Sequence, residues 1–295
     1  MSNHILKKTM KKVLSLLVFS MTMGVAQAQE EKEKVDAYFT TAEMPDMLQF
    51  MPWYPDSTSV AFANDIARYY WGKEMRKDPE RAAQATRDAV YGLATILTEF
   101  EEAFGMKVTK EDTPEIYKVL LEGTATCDSI CTLPKTKYAR TRPYVLFGEH
   151  TLVPELEEEL NPHKSHPSGH TLLGWSSALL MMEINPDRAN EILARGYRYG
   201  ENRVVVGAHW QSDTEAARMA ASVAYAKLHT SERFLEQMKK AREEFKRIKD
   251  SASSAIRQTR ATQDESVVIY DISGKRVSAP RKGIYIQGGE KKVMY

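Results

Sequence analysis

The sequence predicts an all-α main domain followed by a small β-rich module. Three observations lead there. Apolar residues recur at helical spacing from Ser59 to Lys249, and no long alternating strand pattern appears before residue 260. Strand-type composition comes only afterwards, in "SVVIYDISGKRV" and "KGIYIQGGEKKVMY". The chain has 295 residues, 42% of them hydrophobic, enough for one globular core with an appendage. Lys+Arg 41 against Asp+Glu 40 leaves a net charge near zero, with no basic arm or RNA-binding motif. No nucleic-acid partner is expected, and any cationic site must be local.

Lys7, Lys8, Lys11 and Lys12 precede the apolar run Val13 to Val25, and Ala26-Gln27-Ala28 follows. This order reads as a signal peptide over 1–28, cut after Ala28. The apolar run is short for a membrane span, so an uncleaved anchor is the lesser alternative. The expectation is an exported protein without stable membrane insertion. Glu30 to about Pro55 reads as an extended lead-in.

Ser59 to Arg76 carries Val60, Phe62, Ile66 and Tyr70 at helical spacing. Asp78-Pro79 is a cap with a first-turn proline, and that helix could run to Phe104, with Gly105 as its stop. Thr113-Pro114 repeats the start signal, and Gly123 is expected to end the helix. Thr171 to Ile184 is nearly all apolar, which suits the centre of a bundle. Asn185-Pro186-Asp187 breaks it. Further helices are expected over Arg188 to Tyr199, Asp213 to about His229, and Ser231 to Lys249. The last places Phe234, Met238, Ala241, Phe245 and Ile248 on one face. Residues 29–249 thus form the helical domain. Residues 250–265 are polar, lack an apolar stripe and read as a linker. Residues 266–295 form the β-module, with strands at Val267 to Ile272 and Gly283 to Gln287 and turns at Ser273-Gly274 and Gly288-Gly289. Cys127 and Cys131 stand one helical turn apart, which leaves a local disulfide and two free thiols both open.

Three stretches concentrate groups able to hold an anion. In "HPSGHTLLGW", Ser168 and Gly169 precede an apolar helix whose first N–H groups are unpaired and favour negative charge. An ordinary N-cap serine explains that stretch equally well. In "NRVVVGAHWQSD", His209 and Asp213 are four apart and would share a helix face, so the carboxylate could fix the imidazole tautomer. Arg203 precedes them, and a buried arginine needs an anion. In "KTKYARTRP", Lys135 and Arg142 are seven apart; Lys137 and Arg140 between them are assigned to a surface patch. His150, His163 and His166 are read as loop residues rather than ligands.

In this order, Lys135-x6-Arg142-Pro143, Pro167-Ser168-Gly169-His170 and Arg203-x5-His209-x3-Asp213 resemble the signature of the type 2 phosphatidic acid phosphatase superfamily, which includes vanadium-dependent haloperoxidases. Asn202 departs from the usual serine. "DSTSVAFANDIARYYWGKEMR", "EINPDRANEILARGY" and "GAHWQSDTEAARM" are similar to one branch, the class A bacterial non-specific acid phosphatases. The resemblance covers roughly Met47 to Lys249. It implies a helical bundle core of the acid phosphatase and vanadium haloperoxidase type and hydrolysis of small phosphomonoesters, with no metal and no cofactor. It also implies roles: His209 as nucleophile, Asp213 as its orienter, and His170 as leaving-group acid. Lys135, Arg142, Ser168, Gly169 and Arg203 would hold the phosphate. The leaving-group pocket is expected between Tyr144 and His166. A phosphotransferase, a haloperoxidase on the same site, and a non-catalytic exported phosphate-binding protein are the alternatives. The C-terminal "YDISGKRV" with "KGIYIQGGEKKV" resembles the sorting domain of type IX secretion substrates in Bacteroidetes, implying export machinery as a partner and a periplasmic or cell-surface location. A homo-oligomer is compatible with this type of domain.

Overall fold

The computed structural model describes residues 35–51, 53–264, 269–278, 280–287 and 290–294. The expected signal peptide lies outside these residues, as does the Gly288-Gly289 turn. Helices α1 (Met47–Phe50), α2 (Val60–Met75), α3 (Pro79–Arg87), α4 (Leu93–Glu99), α5 (Glu101–Phe104) and α6 (Pro114–Asp128) form the first half of an all-α domain. The second half holds α7 (Thr132–Tyr138), α8 (Pro143–Phe147), α9 (Gly169–Ile184), α10 (Ala189–Val206), α11 (Gln211–Leu228) and α12 (Glu232–Asp264).

Local chemistry sets most boundaries. Ser59 Oγ accepts from Phe62 N, and the Asp78 carboxylate accepts from Glu80 N and Arg81 N before a first-turn proline. Gly207 closes α10 at φ 83°, a left-handed conformation that favours glycine. The start of α6 is capped from a distance: Glu244 of α12 accepts from Glu115 N at 3.1 Å and Ile116 N at 2.9 Å.

At the centre lies α9, packed against α10, α11 and α6. Leu172, Ala178 and Leu180 are fully buried on it, and Ser176 and Ser177 satisfy their hydroxyls on the Leu173 carbonyl. Small residues let its neighbours approach, with Ala217, Ala220, Ala221 and Ala224 of α11 all at 0% exposure. The expected apolar face of α12 is buried at Phe234, Met238, Ala241 and Phe245.

Four local expectations are corrected. Gly123 does not end α6, which continues to Asp128. A Cβ there would lie 2.9 Å from a Leu180 methyl, so the glycine serves close packing on α9. The helix from Pro79 to Phe104 is broken, because residues 88–92 leave helical geometry to bury Asp88 and Gly92 adopts φ 144°. Arg188 to Tyr199 extends to Val206, so the β-branched run is the last turn of α10. Residues 250–264, read as a linker, are helical and continue α12. The lead-in also contains α1, capped by Asp46.

At the C-terminus, β1 (Ile269–Asp271), β2 (Arg276–Val277), β3 (Gly283–Gln287) and β4 (Glu290–Met294) form an antiparallel sheet in the order β2-β1-β3-β4. Ile269 faces Val277 on one side and Gln287 on the other, and Gly283 faces Met294. The β1–β2 turn is held by the Asp271 carboxylate, which accepts from Ser273 N and Lys275 N, with Gly274 at φ 84°.

One contact positions the end of α10. A Cβ at Gly72 of α2 would lie 2.5 Å from the Val204 carbonyl oxygen, a backbone atom that cannot rotate away. Gly72→Ala is therefore expected to lower stability by about 1–3 kcal/mol, read from urea unfolding midpoints.

Candidate active site

The centre of the site is a carboxylate. Asp213 sits in the first turn of α11 and is fully buried. Its Oδ1 accepts from Arg140 Nη1 at 2.6 Å and His166 Nδ1 at 3.1 Å. Its Oδ2 accepts from Ser165 Oγ at 2.5 Å and Trp210 N at 2.9 Å. Its backbone carbonyl accepts from Ser168 N at 3.1 Å, which ties the start of α9 to the start of α11. Arg140 also donates to Asp65 of α2 at 2.6 Å, and Asp65 in turn accepts from Ser212 N and Ser212 Oγ. Burial pushes the Asp213 pKa up. The Arg140 charge, the hydrogen bond from His166 and the nearby His209 ring outweigh it and hold the group well below the usual carboxylate range.

His209 stands before α11 rather than on its face, with Trp210 as the capping residue. The shared helix face expected for His209 and Asp213 is thus replaced by a side chain reaching back past the cap. His209 Nδ1 lies 3.5 Å from Asp213 Oδ2, an ion-pair distance, with no shorter hydrogen bond among the described residues. On the other side, His209 Nε2 meets Arg142 Nη1 at 2.9 Å. A guanidinium only donates, so Nε2 accepts and the ring proton belongs on Nδ1, toward Asp213. The free lone pair is therefore on Nε2, among the cations.

Arg142 is largely committed to the scaffold. Its Nε donates to Asn161 O, Nη1 to Ala208 O and His209, and Nη2 to Lys164 O. Of five N–H groups, one on Nη2 remains. Arg203 differs. It is 1% exposed, and its Nε and Nη1 have no hydrogen-bond partner among the described residues. Burial and the nearby Arg142 lower its pKa to about 10, partly offset by Tyr199 and Asp88. Lys135 Nζ donates to Pro167 O at 2.7 Å and lies beside Gly169, where a Cβ would come within 3.7 Å of it. Ser168 Oγ accepts from Thr171 N and Thr171 Oγ1, so it is the N-cap of α9 and still keeps its own O–H to donate.

His170 completes the set. Its Nε2 faces the Ala89 carbonyl at 2.9 Å, and a carbonyl only accepts, so Nε2 carries a proton and Nδ1 is the titrating nitrogen. Burial and the Arg203 charge push its pKa well below the ordinary value, with His209 and Arg142 adding to the effect. His209 is likewise driven down by burial and the Arg142 charge, against the opposing pull of Asp213. The structure therefore brings Lys135, Arg142, Ser168, Gly169, His170, Arg203, His209 and Asp213 to one place. It presents two neutral imidazoles among three cations. Among the described residues, no group of three or more His, Cys, Asp or Glu side chains is placed to hold a metal ion. Cys127 and Cys131 are free, buried thiols.

Two readings change. Arg140 is not part of a surface patch: it is 3% exposed and bridges two buried aspartates. Ala139 ends α7 in the left-handed region at φ 45° and turns the chain so that Arg140 points inward. His166 is not a loop spectator: it is 2% exposed and shares the Asp213 carboxylate with the nucleophile candidate. Asn202, at the position of the usual serine, is turned to a buried carboxylate: its Nδ2 donates to Asp88 Oδ2 at 2.7 Å, next to the bidentate Arg195. Arg140 carried a local signal, a second arginine two residues before Arg142. Its partner Asp65 lies 75 residues away and carried none.

Two outcomes follow from this burial. Arg140→Gln leaves two buried carboxylates without their cation and is expected to cost about 3–5 kcal/mol in chemical denaturation. His170 and His209 have folded-state pKa values depressed below their unfolded value near 6.5, so the unfolded chain binds protons that the fold refuses. Stability should be full above about pH 6.5 and fall as the pH is lowered below it, a loss that replacing both histidines with glutamine reduces.

The chain is similar to known proteins over most of its length. Residues 117–233 match the PAP2 superfamily. The chain is 38% identical over 232 residues to a non-specific acid phosphatase of Providencia stuartii, covering 78% of this chain and 93% of the relative. It is 35% identical to one of Salmonella typhimurium, covering 78% of this chain and 91% of the relative. It is 32% identical to an acid phosphatase of Zymomonas mobilis, covering 80% and 88%. On its sequence and on the helical scaffold that carries the site, the chain belongs to the non-specific acid phosphatases of the PAP2 superfamily.

Proposed function

We propose that the protein hydrolyses a broad range of phosphate monoesters at acid pH, without a metal ion, through a covalent phosphate on His209. The observation that carries this is Arg203: a guanidinium buried with two nitrogens unpaired among the described residues, in the field of a second arginine and of two imidazoles whose neutral forms are favoured. A phosphoryl group supplies the missing acceptors and the missing negative charge. Lys135, Arg203, the remaining Arg142 N–H, the Ser168 hydroxyl and the first N–H groups of α9 would surround its oxygens.

His209 Nε2 exchanges its hydrogen bond with Arg142 for phosphorus. The N–P bond forms as the P–O bond to the leaving group breaks. Asp213 accepts the Nδ1 proton's hydrogen bond and stabilises the ring as it becomes positive. The leaving oxygen takes the Nδ1 proton of His170. A water then gives its proton to His170, attacks phosphorus and releases inorganic phosphate and neutral His209. All of these groups address the phosphoryl half of the substrate, which supports a broad range.

The pH dependence follows from the charges. His170 is neutral in the fold because burial and Arg203 disfavour its proton. A phosphate dianion offsets Arg203 and raises that pKa, so substrate binding takes up a proton. Activity is expected to fall as the pH rises, when His170 is no longer protonated in the complex. It also falls in strong acid, where His209 loses its free lone pair. We further propose, from the resemblance of the C-terminal module, that the protein is exported and that the module is recognised by a type IX secretion system.

The test is hydrolysis of a chromogenic phosphomonoester in chelator across acid to neutral pH. Full activity in chelator, an optimum below neutrality, competition by vanadate and loss of at least 10³-fold in His209→Ala are expected. Restoration only by added divalent metal, or a His209→Ala variant of near-normal rate, would reject the reading.

A further inference from the structure

The proposed reaction asks two opposed things of His209. Its Nε2 must keep a lone pair in acid, while the neighbouring Asp213 carboxylate favours the protonated ring, which has none. The structure shows how that carboxylate is shared. Asp213 Oδ1 accepts from Arg140 Nη1 and His166 Nδ1, and Oδ2 accepts from Ser165 Oγ and Trp210 N. Two carboxylate oxygens offer about four acceptor positions, so these donors fill them. His209 Nδ1 is left at 3.5 Å, with no hydrogen bond among the described residues.

Among these donors His166 is a side chain with a single polar task. Arg140 also holds Asp65, and the Trp210 N–H belongs to the cap of α11. The His166 side chain makes one hydrogen bond among the described residues, the one to Asp213, and its buried Nε2 has no partner there. A carboxylate only accepts, so the ring proton of His166 lies on Nδ1. The ring is held by two tyrosines: its centroid is 5.1 Å from that of Tyr138, at 72°, and 6.0 Å from that of Tyr54, at 60°. Arg140 packs over the same Tyr54 ring, 5.0 Å from its centroid. This packing aims His166 at the carboxylate.

We propose that His166 is a positioning residue: by occupying Asp213 it keeps that carboxylate from closing on His209, and so preserves the nucleophile's free lone pair in acid. The inference rests on the hydrolysis proposed above and assigns its tolerance of acid to a residue outside the phosphate-holding set. The other groups around His209 act in the same direction. Burial, Arg142 and Arg203 disfavour a second proton on its ring, and a charged His170 would add to them. The opposing pull comes from Asp213. Around that carboxylate, Arg140 and Lys135 supply positive charge, and Asp65 lies beyond Arg140. Removing the His166 donor frees an acceptor position on Asp213 and concentrates its charge, with the His209 ring beside it to take up both.

The test is the pH profile of kcat/KM for a chromogenic phosphomonoester on the full chain. His166→Phe keeps a ring between the tyrosines and removes the donor. Its acid limb is expected about one pH unit above that of the unsubstituted protein, the substrate's own ionisation being common to both. His166→Asn, whose amide can donate from the place of Nδ1, should return the limb to within about 0.3 unit of the original. An unmoved limb in His166→Phe, including a rate lowered equally at every pH, would overturn the inference while leaving the hydrolysis standing. Failure of the unsubstituted protein to turn over the ester would overturn the hydrolysis itself. Nitrogen NMR of the unsubstituted protein with labelled histidines needs neither turnover nor a folded variant. At about pH 5.5 it should find His209 neutral and the His166 proton on Nδ1. A charged His209 at that pH, or a His166 ring protonated only on Nε2, would equally overturn the inference.

Discussion

The Asp213 carboxylate is the constraint on which the rest of the site depends. Its two oxygens collect Arg140, His166, Ser165 and the Trp210 N–H, and face the His209 ring. The four donors come from three separate parts of the chain, so one buried charge fixes the loop after α7, the turn before α9 and the start of α11 together. Such a charge is tolerable inside a protein only when its partners are complete. The network meets that condition through Arg140, which reaches back to Asp65 on α2. The setting of the His209 ring thereby becomes a property of the whole helical scaffold.

The opposite holds a few ångströms away. Arg203 is buried with two nitrogens unpartnered among the described residues, Lys135 shares the field of the neighbouring Arg142, and the neutral forms of both imidazoles are favoured. Satisfied polar groups build the frame, and Arg203 keeps nitrogens to offer. Arg142 belongs to both classes, spending most of its N–H groups on carbonyls while one lies against His209 Nε2. A site that is rigid and short of negative charge binds a phosphoryl group without reorganising, which is how fixed dipoles and cations lower a barrier.

Much of this was legible in the sequence. The helical periodicity, the start signals at Asp78-Pro79 and Thr113-Pro114, and the apolar run of α9 are local, and so they survive in the fold. The eight candidate residues were singled out by the order of three short segments and the resemblance it carries, and the structure brings them together. What was not legible depends on distance. Gly123 reads as a stop until Leu180 is placed over it. Arg140 reads as surface until Asp65 and Asp213 are placed on either side, and His166 reads as loop until the same carboxylate is seen to hold it. Residues 88–92 lie in the middle of a helical pattern, and only the burial of Asp88 takes them out of it.

The tautomer of His209 is the sharpest consequence of the Asp213 network, because it leaves only Nε2 free to bond phosphorus. The direct measurement is to quench the protein in alkali during turnover of a phosphomonoester and locate the phosphate by mass spectrometry and phosphorus NMR of the isolated peptide. The account predicts phosphate on His209, attached through Nε2. Attachment through Nδ1, attachment to another residue, or turnover with no trapped phosphate would contradict it.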